Sequence, residues 1–172
     1  MEAYSAGVLP YSMHNGRVVW LLGRETYRNV WSDFGGHSEF RDGNDPINTA
    51  SREFFEETLG SIMTVKETKK RIQEKDTIIV NSKTMMGHDY TMYIIYIPYE
   101  DVFRRIFART RSFLNYLRFM GRFVEKNDIR WFDHGKLFRT EHPIRYRLCF
   151  FNTIKNNKEI IDSILRRLTK FG

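Results

Sequence analysis

The sequence predicts an α/β (α+β) domain, in which one sheet carries helices. Two observations predict it. Runs of apolar, β-branched and aromatic residues with strand-like alternation recur at 4–11, 17–24, 76–82 and 89–97. Segments with helical apolar spacing lie between and after them, at 46–58, 100–122 and 142–171. At 172 residues with 41% hydrophobic content, the chain is long enough to bury one core and too apolar to remain unfolded. There is no internal repeat, so a single domain over residues 1–172 is expected.

Taken in order, the first two strands are joined by His14-Asn15-Gly16, a hairpin signal. Residues 27–34 continue as a strand with Tyr27, Trp31 and Phe34 just ahead of Gly35-Gly36. Asn44-Asp45-Pro46 reads as a helix start, with Asp45 as cap and Pro46 in the first turn. Along that helix Ile47, Ala50, Phe54 and Thr58 form a mostly apolar stripe. Residues 62–75 are polar and basic and read as a mixture of strand and loop. The segments 76–82 and 89–97 read as paired strands flanking Met85-Met86-Gly87-His88.

Residues 100–122 then form a helix, or two shorter ones broken near Thr110 and Ser112. Val102, Ile106, Phe113, Leu117 and Met120 mark its apolar side, and Arg104, Arg111, Arg118 and Arg122 the opposite side. Every basic residue of this stretch is arginine, which forks onto phosphate as lysine cannot. A solvated face is the plain alternative to a phosphate track. The segment 142–171 is helical, with a break at Asn156-Asn157.

The chemistry is concentrated in the central helix. Relative to Glu53, Glu56 lies about 60° to one side and Glu57 about 40° to the other, so the three carboxylates share one edge. Such crowding is costly unless a cation sits among them. Arg52 neutralises part of it, and a hard divalent ion would supply the rest. Without the preceding loop, E-x-x-E-E would be an ordinary solvated acidic face.

With that loop, the stretch from Gly35 to Gly60 resembles the Nudix box, G-x5-E-x7-R-E-U-x-E-E-x-G-U, where U is bulky and apolar. Gly36 matches the first glycine, Arg52-Glu53 the R-E pair, Phe54 the U, and Glu56-Glu57 the E-E pair. Three departures stand out. Asp42 replaces the family's Glu, nine residues separate it from Arg52, and Thr58-Leu59 precede Gly60.

The resemblance implies a Nudix-like α/β/α sandwich with a mixed sheet, to which the basic helices at 100–122 and 142–171 would be additions. It also implies Mg²⁺- or Mn²⁺-dependent hydrolysis of a nucleoside diphosphate linked to another moiety. Gly36, Glu53, Glu56 and Glu57 would be the metal ligands, and Arg52 would orient the acidic helix. Glu125 would serve as a further carboxylate from the late strand, with Asp128 second to it.

Twenty-eight Lys+Arg against 21 Asp+Glu give a net charge of +7, which favours a polyanionic partner. With Arg104, Arg111 and Arg118 as a backbone track, and Tyr27, Trp31, Phe34 and Glu39 at the entrance, the expected substrate is capped RNA. The stretched loop is also similar to that of decapping Nudix enzymes of large DNA viruses. A small polyphosphate or another phosphorylated nucleotide is the alternative substrate, and a non-catalytic RNA-binding module the alternative class.

The one cysteine, Cys149, reads as buried packing and permits no intrachain disulfide. No run reaches the roughly 18 apolar residues of a membrane span. A cytoplasmic protein without membrane contact is expected, in the host cytoplasm if the chain is viral.

Overall fold

The computed structural model describes residues 4–117, 124–137 and 145–168. Strands β1 (Tyr4–His14) and β2 (Arg17–Glu25) form the expected hairpin, with Asn15 and Gly16 both at positive φ in the turn. Two short strands, β3 (Trp31–Ser32) and β4 (Phe34–His37), follow in place of the single strand expected at 27–34, and Tyr27 lies in the turn before them. A 3-10 turn at Phe40–Asp42 leads to helix α1 (Pro46–Glu57), where the Asp45 side chain accepts a hydrogen bond from the Ile47 amide.

Residues 62–75 contain no strand. They hold helix α2 (Val65–Ile72), closed by a reciprocal Thr64/Glu67 capping box. The T-x-x-E spacing was visible in the sequence, and the density of charge in VKETKKRI masked it. Strands β5 (Ile78–Lys83) and β6 (Asp89–Tyr96) pair as expected. Helix α3 (Val102–Tyr116) runs unbroken through Thr110 and Ser112. Strand β7 (Lys126–Asp133) and helices α4 (His134–Leu137), α5 (Leu148–Asn156) and α6 (Lys158–Leu168) complete the chain. The break between the last two falls at Asn157, where the asparagine pair predicts it.

The sheet runs β3-β2-β1-β6-β5, with β4 paired to β1 and β7 to β2. Among the described strands β1 and β6 pair in parallel and the other pairs are antiparallel, so the sheet is mixed. Side-chain alternation divides its apolar residues between two layers. Leu9, Tyr11, Trp20, Leu22, Met92 and Ile94 pack against α4, α5 and α6. Ala6, Val8, Leu21, Tyr93 and Ile95 pack against α1, α2 and α3. The result is the expected α/β/α sandwich.

Helix α3 is rotated from its expected orientation. Its buried residue is Phe107, supported by Phe103, while Ile106, Phe113 and Leu117 are exposed. Arg104, beside the two inward rings on the helix surface, forks onto Asp128 of β7 at 2.9 and 3.1 Å and holds the helix in this orientation.

Strand β1 changes partner along its length, pairing with β2 at Tyr11–His14 and with β4 at Ser5–Val8. Gly7 and Gly35 face each other across the second pairing. A Cβ on Gly35 would come within 2.6 Å of the Gly7 Cα and 2.8 Å of the Ala6 carbonyl oxygen. This close approach sets the height of the loop that enters α1. Gly35→Ala is expected to cost about 1–3 kcal/mol through overpacking. A urea unfolding midpoint unchanged by that substitution would contradict the close approach.

Candidate active site

The loop from Gly35 to Asp45 and the inner edge of α1 meet at a cleft of about 480 Å³. Gly36, Glu39, Glu53 and Glu125 line it together with Arg28, Asp33, Tyr90, Met85, Met86 and Arg147. The Glu53 carboxylate lies against Gly36 so tightly that a Cβ there would come within 2.7 Å of both its oxygens. Glycine at position 36 is therefore what admits the acid.

Arg52 organises this edge. Its Nε and Nη2 donate to the two oxygens of Asp42, each at 2.9 Å. Nη1 donates to Glu53 at 2.8 Å and to Glu56 at 3.1 Å, and Nη2 also reaches the His37 carbonyl at 2.9 Å. The departure from Glu to Asp at position 42 thus leaves the carboxylate in place as the arginine's anchor. Burial pushes the Asp42 pKa up, but hydrogen bonds from Arg52, the Glu39 amide and Thr49 outweigh it and hold it at about 2.

The remaining acids are less fully compensated. Burial raises the Glu53 pKa to about 7 against the pull of Arg52, and the charges of Glu56 and Glu125 add to the rise. Burial raises Glu57 to about 8 against Lys126, with Glu53, Glu125 and Asp33 adding to it. Both oxygens of Glu57 are engaged: Oε2 accepts from the Gly35 amide at 2.8 Å, and Oε1 lies 3.3 Å from the Lys126 ammonium. Glu56 is exposed and also binds Arg41 at 2.9 Å. The exposed Glu125 side chain makes no hydrogen bond or ion pair with the described residues.

Among the described residues no three His, Cys, Asp or Glu side chains converge on one point. Mg²⁺ and Mn²⁺ take hard oxygen donors, and Mg²⁺ is commonly held by one or two carboxylates completed by water and substrate phosphate. The Gly36 carbonyl, Glu53 and Glu125 have that chemistry, and Gly36 and Glu53 are in direct contact at the cleft. The residues fit such an ion.

Several expected site residues lie elsewhere. Phe34 is fully buried and packs edge-on against Phe54, so it cannot stack on a base at the cleft. Trp31 is also buried, packed on Phe132, with the Arg24 and Arg130 guanidinium groups 5.7 and 5.6 Å from its ring centre. Tyr27 is 88% exposed and lines an adjoining hollow with Arg28, Glu57, Glu125 and Arg147. Asp128 is held by Arg104 and Arg130 and does not line the cleft, which removes it as a candidate and takes Arg104 off the phosphate track. Arg111 is half-buried on α3, and none of the described α3 residues lines the cleft. Arg118 lies outside the described residues.

Glu39 pairs with Arg41 at 2.7 Å and with Arg52 at 3.5 Å. Cys149 is half-buried at the cleft wall and is not core packing.

Sequence reasoning missed Lys126, Arg147 and the buried Asp33, which accepts a hydrogen bond from the Tyr90 hydroxyl. Burial raises the Asp33 pKa, against the Tyr90 hydrogen bond and Lys126. A glycine inside a strand, Gly23, was the available signal for Lys126. A Cβ there would come within 3.0 Å of the lysine stem.

These shifts have opposite consequences for stability. A carboxylate held below its ordinary 3.8 favours the folded state above about pH 4, and that contribution is lost as pH falls toward 2. Asp42→Asn should cost about 2 kcal/mol near neutrality and flatten the acid limb of stability between pH 4 and 2, measured by urea unfolding. Glu53 and Glu57 are raised, so the metal-free fold should weaken as pH rises from 4.5 through 7–8. Added Mg²⁺ or Mn²⁺ should therefore raise the unfolding temperature more at pH 8 than at pH 5. Equal increments at both would contradict this reading.

No family model matches the sequence, and no curated protein sequence matches it. Solved structures do resemble it. The Nudix domain of Shewanella oneidensis NrtR, complexed with ADP ribose, is 12% identical with a TM-score of 0.55, over 94% of this chain and 89% of that one. The C. elegans Ap4A hydrolase binary complex is 16% identical with a TM-score of 0.53, over 98% and 96%. The C-terminal domain of mouse MUTYH, solved with human PCNA, is 8% identical with a TM-score of 0.55, over 94% and 91%. Together with the mixed sheet between helical layers, these likenesses establish that the chain has a Nudix fold.

Proposed function

We propose that the chain is a divalent-metal-dependent hydrolase of a diphosphate linkage in a phosphorylated nucleotide. Capped RNA is the proposed substrate, giving 7-methylguanosine diphosphate and 5′-monophosphate RNA. The observation that carries the proposal is the Glu53 carboxylate pressed against Gly36, in a cleft that also holds Glu125 and two arginines. A bound Mg²⁺ or Mn²⁺ would neutralise phosphate charge and make water a competent nucleophile near neutral pH.

The chain's own residues do the rest. Water adds to one phosphorus of the P–O–P bridge, the bridging oxygen leaves with the other phosphate, and Glu125 takes the water's proton. Arg28 and Arg147 hold the phosphates in the cleft, and Arg52 keeps the acidic edge in register with the loop. Tyr27 is the ring free to stack on a methylated base, a contact worth about 0.5–2 kcal/mol when the base is cationic. The net charge of +7 and the exposed Arg105 and Arg109 of α3 support a polyanionic chain beyond the cleft.

One observation favours a smaller substrate. The cleft has a wall of its own, formed by the exposed Met85 and Met86 at the β5–β6 turn, and engages no described arginine of α3. A dinucleoside polyphosphate would fit that description, and the similar C. elegans protein is an Ap4A hydrolase.

The test is a panel of capped RNA, dinucleoside polyphosphates and diphosphoinositides, incubated with the protein and Mg²⁺ or Mn²⁺, with products identified by mass. Capped RNA should release 7-methylguanosine diphosphate, and Glu53→Gln should lower the rate at least about a hundredfold. Turnover restricted to the dinucleotides would replace the substrate and keep the chemistry. Capped RNA bound equally well by the wild type and Glu53→Gln, with no product from any substrate, would make the chain a binding module.

A further inference from the structure

We propose that Lys126 is a resident cation standing where a second divalent ion would otherwise be needed beside Glu57, so that the site takes one ion and not two. This rests on the metal-dependent reading above. The Lys126 side chain is 1% exposed. Its ammonium donates to the Ser32 hydroxyl at 2.7 Å and the Asp33 carbonyl at 3.2 Å, and lies 3.3 Å from Glu57 Oε1. Two hydrogen bonds and one ion pair thus hold the ammonium. The other Glu57 oxygen accepts from the Gly35 amide, and an ammonium held this close opposes a divalent cation on the same carboxylate.

The surroundings are built for the lysine. Lys126 opens β7 beside a register shift between Arg24 and Glu25 of β2, and Gly23 leaves the space that its methylene stem fills. A buried ammonium is tolerable only with an anion beside it, and Glu57 is that anion. The pair ties β7 and α1 to Gly35, the first glycine of the loop. The donors left to an ion are the Gly36 carbonyl, Glu53 and Glu125, with Glu56 as an outlying carboxylate held by Arg41 and Arg52.

Counting Mn²⁺ on the full chain, by depletion of the free-ion paramagnetic resonance signal, tests this without any substrate. The wild type should bind one ion. Glu53→Gln should weaken that ion at least about tenfold, whereas the paired substitution Lys126→Met with Glu57→Gln, which removes both charges together, should leave it within about threefold. Lys126→Met alone should lower the unfolding temperature, acquire a second Mn²⁺, and regain stability as that ion binds. Two ions on the wild type overturn the proposal with no variant needed, as does a paired variant weakened as much as Glu53→Gln. A wild type that binds no Mn²⁺ overturns it together with the metal-dependent reading itself.

Discussion

Arg52 is the contact on which the site's geometry turns. One planar guanidinium joins Asp42 at the end of the 3-10 turn to Glu53 and Glu56 on α1 and to the His37 carbonyl at the end of β4. Without it, three carboxylates on one helical edge would repel one another, and the loop would have no tether to the helix it enters. Arginine suits the role because its donors lie in a fixed plane and its charge survives burial. Its pKa is raised, the hydrogen bonds and charges of Asp42 and Glu53 overcoming the opposing effect of burial. The arginine therefore stays charged across the whole range in which the carboxylates titrate.

The remaining negative charge is handled in layers. Lys126 compensates Glu57 in the interior, Arg41 and Arg52 compensate Glu56 at the surface, and Glu53, paired to Arg52, faces the cleft with Glu125. A hydrolase of anionic substrates benefits from that arrangement. The carboxylates that would repel phosphate on their own would recruit a divalent ion, which would then share the phosphate charge with Arg28 and Arg147. The glycines serve the same end sterically, because Gly7 and Gly35 bring two strands together and Gly36 leaves room for a carboxylate.

Much of this was legible in the sequence because it is encoded locally. The β1–β2 turn, the Asp45-Pro46 helix start, the apolar stripe of α1, the β5–β6 pair and the Asn156-Asn157 break all rest on residues a few positions apart. What could not be read depends on distant pairings. Lys126 becomes buried only because β7 lies beside β2, about a hundred residues away in sequence. Asp33 meets Tyr90 only because β1 brings β4 and β6 together. The aromatic residues before the glycines misled for a similar reason. Trp31, Ser32, Asp33 and Phe34 are all buried there, so no alternation marked an outward face. The arginines of α3 read as one track because helical spacing shows which residues share a face, and not which of them a neighbouring strand will claim.

The account as a whole depends on an ion sharing the space between α1 and the glycine loop. Anomalous scattering from crystals grown with Mn²⁺ tests it most directly. The account predicts a peak between the Gly36 carbonyl oxygen and the Glu53 carboxylate, at ligand distances of about 2.0–2.3 Å, with Glu125 turned toward it. Manganese found only on exposed carboxylates elsewhere, with Glu53 still paired to Arg52 alone, would contradict it.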